Sequence, residues 1–419
     1  MMILANARIL TFDSENRVLD RGSVEIRSDG TIGKITSSHR RPAQSIDAGG
    51  RLLMPALINC HTHLYSMLAR GMRIAGPRPA NFAAILKKLW WRLDRALNEE
   101  DVYSSALVGL MDSAKCGVAT VIDHHSSPNA CPGSLDVIER AFQEVGLRGA
   151  TCYETSDRNG RDSARDGIRE NVRFLEKRRA DKLVEGMFGL HAAFTLSDRT
   201  LAACAEANQS LKAGFHVHIA EDPIDRAAVS RLDRNGILDE RTLAAHCIHV
   251  TERDRKILAD RGANVVHNPQ SNANNAVGTA DVIPRVLTGL GTDGFSPGIW
   301  GELKASMGLR NLRARDPRAG SAALLLNNRA IVKKIWGLDL GRIQTGARAD
   351  LMLVDYFPPT PIDSSNLFGH LVFGVANAPV DSLIVNGRYV LCAQQLLTVD
   401  EPRIAEKAAA RAKALWERV

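Results

Sequence analysis

The sequence predicts an α/β protein: a (β/α)8 TIM-like barrel with a small β-sandwich made by the two chain ends. Three observations predict it. Between about residues 52 and 340, short apolar runs that end in polar residues alternate with stretches of helical period. There are eight such runs. The chain ends read instead as short β segments.

In order, the runs are LLMPALINCHTH (52–63), GVATVIDHH (117–125), LRGATCYET (147–155), GMFGLHAAFT (186–195), AGFHVHIAE (213–221), TLAAHCIHV (242–250), ANVVHNPQSN (263–272) and VLTGLGTDG (286–294). Between them, VIERAFQEVG puts Val137, Ile138, Ala141, Phe142 and Val145 on one helical face. ALVGLMDSAKCG does the same with Leu107, Leu110 and Met111 and stops at Gly117. Strands alternating with helices give parallel βαβ units. The polar residues close each run at its C-terminal end, the face on which such a barrel builds its site. The long gap after the first run holds ILKKLWWRLDRAL (85–97), expected as an extra helix over or beside the mouth. Trp90 and Trp91 within it are expected in core or subunit packing.

The N-terminal stretch carries ILANARILTF, SVEIRSDGTIGKI and SIDAGG; the C-terminal stretch carries ADLMLVDY and DSLIVNGRYVL, where Asn-Gly marks a hairpin. Neither end is large enough for a core of its own, so the two are expected to combine beside the barrel. The expected division is 1–54, 55–342 and 343–419, the last finishing in the helix EPRIAEKAAARAKALWERV.

The chain has 419 residues, 45% hydrophobic, which supports a large core and excludes a disordered chain. No apolar run approaches the ~18–20 residues that cross a bilayer. The start, MMILANARILTF, lacks the parts of a secretory leader, so a cytoplasmic enzyme is expected, without a membrane partner. Net charge is +7, yet the basic stretches 177–182 and 310–318 are broken by acids and aromatics are only 5%, so no nucleic-acid partner is expected. Seven scattered cysteines without a CxxC fit reduced thiols. Cys60 and Cys247 adjoin histidines, but neighbours on a strand face opposite ways, so both are expected in the walls.

His61 and His63 close the first run, and residues i and i+2 of a strand face the same way. They can share one ion, and imidazole suits zinc and similar divalent metals. His216 and His218 also share a side, so alternation does not choose between them. Depth favours His218, nearer the rim, and leaves His216 to pack or to orient the ligands. His246 ends the sixth run and Asp293 the eighth. Glu221 falls just past the fifth, where a carboxylate reaches a substrate above the metal.

This constellation resembles the amidohydrolase superfamily: His-x-His on strand one, His-x-x-Glu on strand five, His on strand six and Asp on strand eight. The nearer resemblance is to its deaminase and chlorohydrolase (ATZ/TRZ-like) branch, through VVHNPQSN (265–272), GLGTDG (289–294) and GARADLMLVD (346–355). GPRPANF (76–82), KLWWRLDRAL, VIDHHSSPN (121–129) and HNPQSNANNAVG (267–278) are similar to its SsnA-type aminohydrolases. The resemblance implies one divalent metal, zinc or else iron, held by His61, His63, His218 and Asp293. It implies Glu221 as the acid that protonates a ring nitrogen, His246 as the group that orients water or takes its proton, and Asp293 as the shuttle to the departing amine. The implied substrate is a small nitrogen heterocycle of purine, pyrimidine, pterin or triazine type, deaminated with release of ammonia. Removal of chloride or an alkylamine, or opening of a cyclic amide, is the alternative. The two-metal relatives need a lysine on strand four; this strand carries His191 instead, so one metal is favoured. His191, His125 (in preference to its neighbour His124) and His267 are expected to touch substrate. Ser66 stands where many triazine enzymes have Gln, so that residue's carbonyl-recognising role is missing or moved. The helical material at 85–97 suggests a homodimer or larger.

Overall fold

The computed structural model describes every residue except 39, 74–75, 178–182 and 321. All but the first residue of the basic stretch 177–182 therefore lies outside the described residues.

Eight parallel strands surround the barrel axis: β1 (Leu57–Thr62), β2 (Val118–Asp123), β3 (Arg148–Thr151), β4 (Val184–Gly186 continued by Phe188–Ala192), β5 (Phe215–Ile219), β6 (Leu243–His246), β7 (Asn264–His267) and β8 (Thr288–Leu290). One hydrogen-bonded ladder runs from β1 to the first piece of β4, and a second from the second piece to β8. The ladder breaks at Met187, but the ring does not. The chain joins the two pieces of β4, and parallel bridges Thr155↔Leu190 and Thr62↔Asp293 complete the circuit. At the first of these seams Gly189 permits a close approach: a Cβ there would lie 2.2 Å from the Tyr153 carbonyl oxygen. Every residue of β1, β2 and β5 to β8 is buried. Parallel strands covered on both faces lose the polar alternation of a one-sided sheet, which is why the runs read as continuously apolar.

The helices outside the strands are α1 (Glu99–Lys115), α2 (Ser134–Val145), α3 (Arg161–Glu176), α4 (Asp198–Asn208), α5 (Ala228–Arg234), α6 (Glu252–Arg261), α7 (Ile299–Ala314) and α8 (Ala323–Trp336). Asn98 and Asp101 cap the start of α1 reciprocally. α2 buries the face read from sequence and stops at Gly146, in the left-handed region. α8 supplies the stitch between the last strand and the first. Asn328 donates from Nδ2 to the carbonyls of Ile58 and Leu290, and its Oδ1 accepts the Leu290 N–H at 2.7 Å. Replacing Asn328 by Leu strands these buried backbone groups. At about 1–3 kcal/mol for each unmet group, a loss of at least about 3 kcal/mol is expected. Chemical denaturation reads it; an unchanged midpoint would remove Asn328 from the account of barrel closure.

The two chain ends share one nine-stranded sheet. Its central step is antiparallel pairing of Leu351–Val354 with Leu52–Pro55, and Met2–Leu10 then pairs with Leu52–Pro55 in parallel. Alternation divides its side chains. Leu53, Leu351 and Leu353 join Leu4, Ile9 and Ile384 in a core of their own. Leu52, Met54, Met352 and Val354 face the other way, into the core shared with α1 and α2. A buried ion pair ties this sheet to the barrel: Arg148, opening β3, donates to Asp350 at 2.8 Å. The final helix, Glu401–Trp416, lies on α1, with Arg411 bonded to Asp101 and Asn98. Among the described residues no helix is long and apolar enough to cross a membrane.

The segment expected as a helix from residue 85 starts earlier, at Phe82, because the Asn81 side chain accepts the Ala84 N–H and caps it. It is not uniform: a π-helical turn at Leu86–Trp90 sits between the α-turns Phe82–Ile85 and Trp91–Ala96.

Candidate active site

The C-terminal ends of β1, β5 and β8 bring His61, His63, His218 and Asp293 together, one ligand-capable atom from each lying within 4.8 Å of the others. Two features of the chain force this meeting. Period two keeps His61 and His63 on one side of β1. The β1–β8 seam is then laced to Asp293: its N–H donates to the His61 carbonyl at 3.0 Å, and Thr62 Oγ1 donates to its carbonyl at 3.0 Å.

Each imidazole is fixed through one nitrogen and presents the other. His63 Nδ1 donates to the His124 carbonyl, and His218 Nδ1 to the His191 carbonyl, both at 2.7 Å. His61 Nδ1 lies 2.9 Å from Nε2 of His216, the deeper histidine of the FHVHIAE pair. A His61 that ligates through Nε2 must carry its proton on Nδ1 and give it to His216. The free Nε2 atoms converge. Those of His63 and His218 stand 3.2 Å apart, and His63 Nε2 is 3.0 Å from Asp293 Oδ1. His61 Nε2 is buried without a hydrogen-bond partner. At 3.2 Å the Nε2 atoms of His63 and His218 need a cation between them, either a proton or a metal ion. Burial and the neighbouring imidazoles hold His61, His216 and His218 well below the ordinary histidine range. Burial also works against a charge on His63, but Asp293 and Glu154 outweigh it and raise that ring to about 9. Asp293, whose carboxyl burial would push up, is held far below the usual range by the His63 hydrogen bond and charge. The cluster thus draws positive charge to the point between His63 and Asp293. Three converging imidazole nitrogens and a carboxylate fit a divalent metal ion.

His246 stands beside this point. Its Nδ1 pairs with Asn272 Oδ1 at 2.8 Å, while Nε2 is buried with no hydrogen-bond partner, 3.5 Å from Glu221 Oε2 and 3.8 Å from Asp293 Oδ2. Glu221 lines the cavity, and burial, with the Asp293 charge, pushes its carboxyl well above the ordinary range. His246 and Asp293 both have left-handed backbones, φ 74° and 55°. For non-glycine residues this costs about 1–3 kcal/mol each and persists where the surroundings dictate it. At Asp293 they do: Ser271 Oγ donates to Oδ2 at 2.6 Å and the Gly294 N–H to Oδ1 at 2.8 Å.

Of the three histidines expected to touch substrate, one lines the cavity and two do not. His191 lines the cavity, with Nδ1 paired to Thr195 Oγ1 at 2.9 Å. His125 does not line it; Nε2 pairs with Ser127 Oγ at 2.8 Å and the ring lies between Tyr65 and Tyr153. The inward neighbour is His124, stacked on His216 with ring centres 4.4 Å apart. His267 is also off the cavity, held between Asn272 and Thr279. The short helix Pro269–Asn274 starts directly after it and presents Ser271 instead, with Asn275 following. Trp90 and Trp91 pack against buried apolar residues, Phe82 and Leu86 among them, and also line the cavity, because the π-helical turn lies across the mouth. Ser66 turns its hydroxyl back to the His63 carbonyl. Cys60 and Cys247 are buried in the walls.

The sequence reading missed Glu154 and Arg158, which both line the cavity, and Asp94, which holds Arg158. Glu154 was legible, since it closes the third run at the rim position that marked the other residues. Arg158 and Asp94 sit in a loop and in the segment over the mouth, and no periodicity marks them.

A closed parallel barrel with this donor cluster and a buried acid at its C-terminal mouth defines a hydrolase of the metal-dependent barrel class. The chain belongs to the amidohydrolase family, whose model matches residues 52–390. It is 29% identical to a 5'-deoxyadenosine deaminase of Methanosarcina mazei, over 100% of this chain and 99% of that protein. It is 30% identical to a 5-methylthioadenosine/S-adenosylhomocysteine deaminase of Desulforudis audaxviator, over 90% of each. Among solved structures, an adenosine deaminase from Xanthomonas campestris with bound zinc superposes with a TM-score of 0.86, at 23% identity over 100% of this chain and 99% of that one. Atrazine chlorohydrolase TrzN from Arthrobacter aurescens, complexed with zinc, gives 0.78 at 20% identity over 99% and 100%. The two structural likenesses speak for the fold.

Proposed function

We propose that the protein is a metal-dependent aminohydrolase that replaces the exocyclic amine of an amidine carbon in a nitrogen heterocycle by a carbonyl, with release of ammonia. One observation carries this reading: Glu221, a carboxyl pushed toward its protonated form, stands in the cavity 3.5 Å from the unpartnered Nε2 of His246, beside the imidazole–carboxylate cluster. The names of the similar deaminases support the same chemistry. In this reading His61, His63, His218 and Asp293 hold a single ion, within a barrel spanning 55–342 that is flanked by the β unit of 1–54 and 343–419. Zinc is the ion we favour, from the nitrogen-rich donor set and from the zinc bound in both similar structures. An ion held there would lower the pKa of its bound water to about 7.

The chain's own groups manage the protons. His246 Nε2, kept neutral by burial, accepts from the water as it adds to the amidine carbon. Glu221 delivers its proton to the adjacent ring nitrogen, which relieves the double bond. Asp293 Oδ2, 3.8 Å from His246 Nε2, takes the water's proton from that ring and passes it to the amine; the C–N bond breaks, ammonia leaves, and the hydroxyl proton of the collapsing adduct returns to Glu221 as the carbonyl forms. His191 meets the ring from the wall, while Trp90 and Trp91 cover it from the mouth.

The test is a screen of metal-loaded protein against purines, pyrimidines, pterins and triazines for ammonia, with chloride and alkylamine measured in the same samples. Ammonia from a heterocyclic amine is expected. Chloride or amine alone would reassign the leaving group, and silence across the panel would sink the reading. A narrower result is expected at His216. His216→Phe keeps a ring in the space but removes the acceptor for His61 Nδ1. Loss of such an orienting partner costs about 10–100-fold in metal affinity. Competition with a chromophoric chelator measures it, and wild-type affinity would reduce His216 to a packing residue.

A further inference from the structure

Two charged side chains in the cavity wall have no part in the proton transfers above. Glu154 is 3% exposed; its Oε1 lies 3.2 Å from both His63 Nδ1 and His124 Nδ1 and its Oε2 3.9 Å from His191 Nε2. Arg158, four residues on, bonds through Nη2 to Asp94 and to Ser126 Oγ. Its Nε is buried and has no hydrogen-bond partner. Asp94 is 1% exposed and comes from the segment that crosses the mouth. The Trp91 ring lies 5.5 Å from the Arg158 guanidinium carbon. Arg158 is therefore gripped from the loop after β2 and, through Asp94 and the Trp91 ring, from the mouth segment, in a fixed orientation. Glu154 and Arg158 line the same cavity as Glu221.

A fixed carboxylate beside a fixed guanidinium reads the edge of a ring. The carboxylate accepts from a ring N–H, and the guanidinium donates to a carbonyl oxygen. Both charges are held desolvated by their protein partners, and Arg158 Nε still lacks an acceptor, so a ring edge with no oxygen for the guanidinium leaves that buried donor unmet, which is where polar sites gain their discrimination. Trp90, Trp91, Phe82 and Phe194 line the same space with flat apolar faces. We infer that Glu154 and Arg158 are the specificity pair of this site, selecting heterocycles that carry a lactam edge, a ring N–H next to C=O, over otherwise identical rings that lack it. The inference rests on the aminohydrolase reading for the placement of the amidine carbon near Glu221.

Matched ring pairs test it. Isocytosine and 2-aminopyrimidine share the amino-amidine carbon and differ in the lactam edge; guanine and 2-aminopurine differ in the same way. Calorimetry on metal-loaded wild-type protein is expected to give at least about tenfold tighter binding of the lactam member of each pair. Glu154→Gln, nearly equal in shape, is expected to cut that within-pair ratio at least about fivefold. Arg158→Lys, which keeps a charge against Asp94 but loses the planar fork, is expected to cut it as well. Metal content is measured on each variant. Equal binding within the wild-type pairs, or a ratio untouched by both substitutions, would overturn the inference. Ammonia release is read separately. A lactam preference in binding without ammonia from any compound would leave the pair standing and refute the reaction. Ammonia without any preference would do the reverse.

Discussion

A His63→Ala chain is expected to purify with less than about a tenth of the metal held by the wild type and with turnover at background. The reason lies in the position of this ring. His63 alone contacts both Asp293 and His218 across the cluster, at 3.0 and 3.2 Å. Removing it takes one nitrogen from a four-member donor set and also removes the strongest compensation of the buried Asp293 carboxylate. Elemental analysis per chain and the circular dichroism of the variant separate loss of metal from loss of fold. The outcome is diagnostic because, among the described residues, two other ligand-capable groups do not use His63: the deeper His61, His124 and His216, and Glu221, His246 and Asp293. A His63→Ala chain that keeps one ion and wild-type turnover would move the centre to one of them.

Glu221→Gln is expected to do the opposite: metal content unchanged, kcat reduced by about 10²–10⁴, the usual contribution of a positioned acid. Glutamine keeps the shape and the long, 3.5 Å hydrogen bond from Asn275 Nδ2, but has no acidic proton to deliver. Glu221 also stands outside the donor cluster of His61, His63, His218 and Asp293, so the ion has no reason to leave. Substrate affinity is expected to change much less than kcat. Steady-state kinetics with elemental analysis on the same preparation decides it. Full turnover in this variant would move the acid elsewhere, and Asp293 would be the next group to test.

The site residues that were legible are those fixed by local rules. His61 and His63 share a face because a strand repeats every two residues. His218, His246 and Asp293 were found because each closes an apolar run, and parallel strands of one barrel end on one rim. The depth argument also separated His218 from His216: the first presents Nε2 to the cluster and the second meets His61 from below. Where the reading went astray, the deciding contact was not local. Between His124 and His125, adjacent on one strand end, the choice depended on which side of β2 faces the axis, and a run buried on both faces does not reveal that. His267 was displaced by a helix that begins two residues after it. Trp90 and Trp91 do pack against buried apolar residues; what the sequence did not reveal is that they also line a cavity that only the closed barrel creates.

The sequence by itself determined the eightfold alternation of strand and helix and the ring of donors at the strand ends, since both follow from hydrophobic period and from side chains set by neighbouring backbone. Only the tertiary structure decided the register by which the chain ends, already expected together, form one sheet, Leu52–Pro55 against Leu351–Val354, and what surrounds the reacting point, as in the meeting of Asp94, Ser126 and Arg158 from three separate segments. Those contacts are made through space between loops whose path no periodicity records, and they become visible when the barrel closes and brings its rim together.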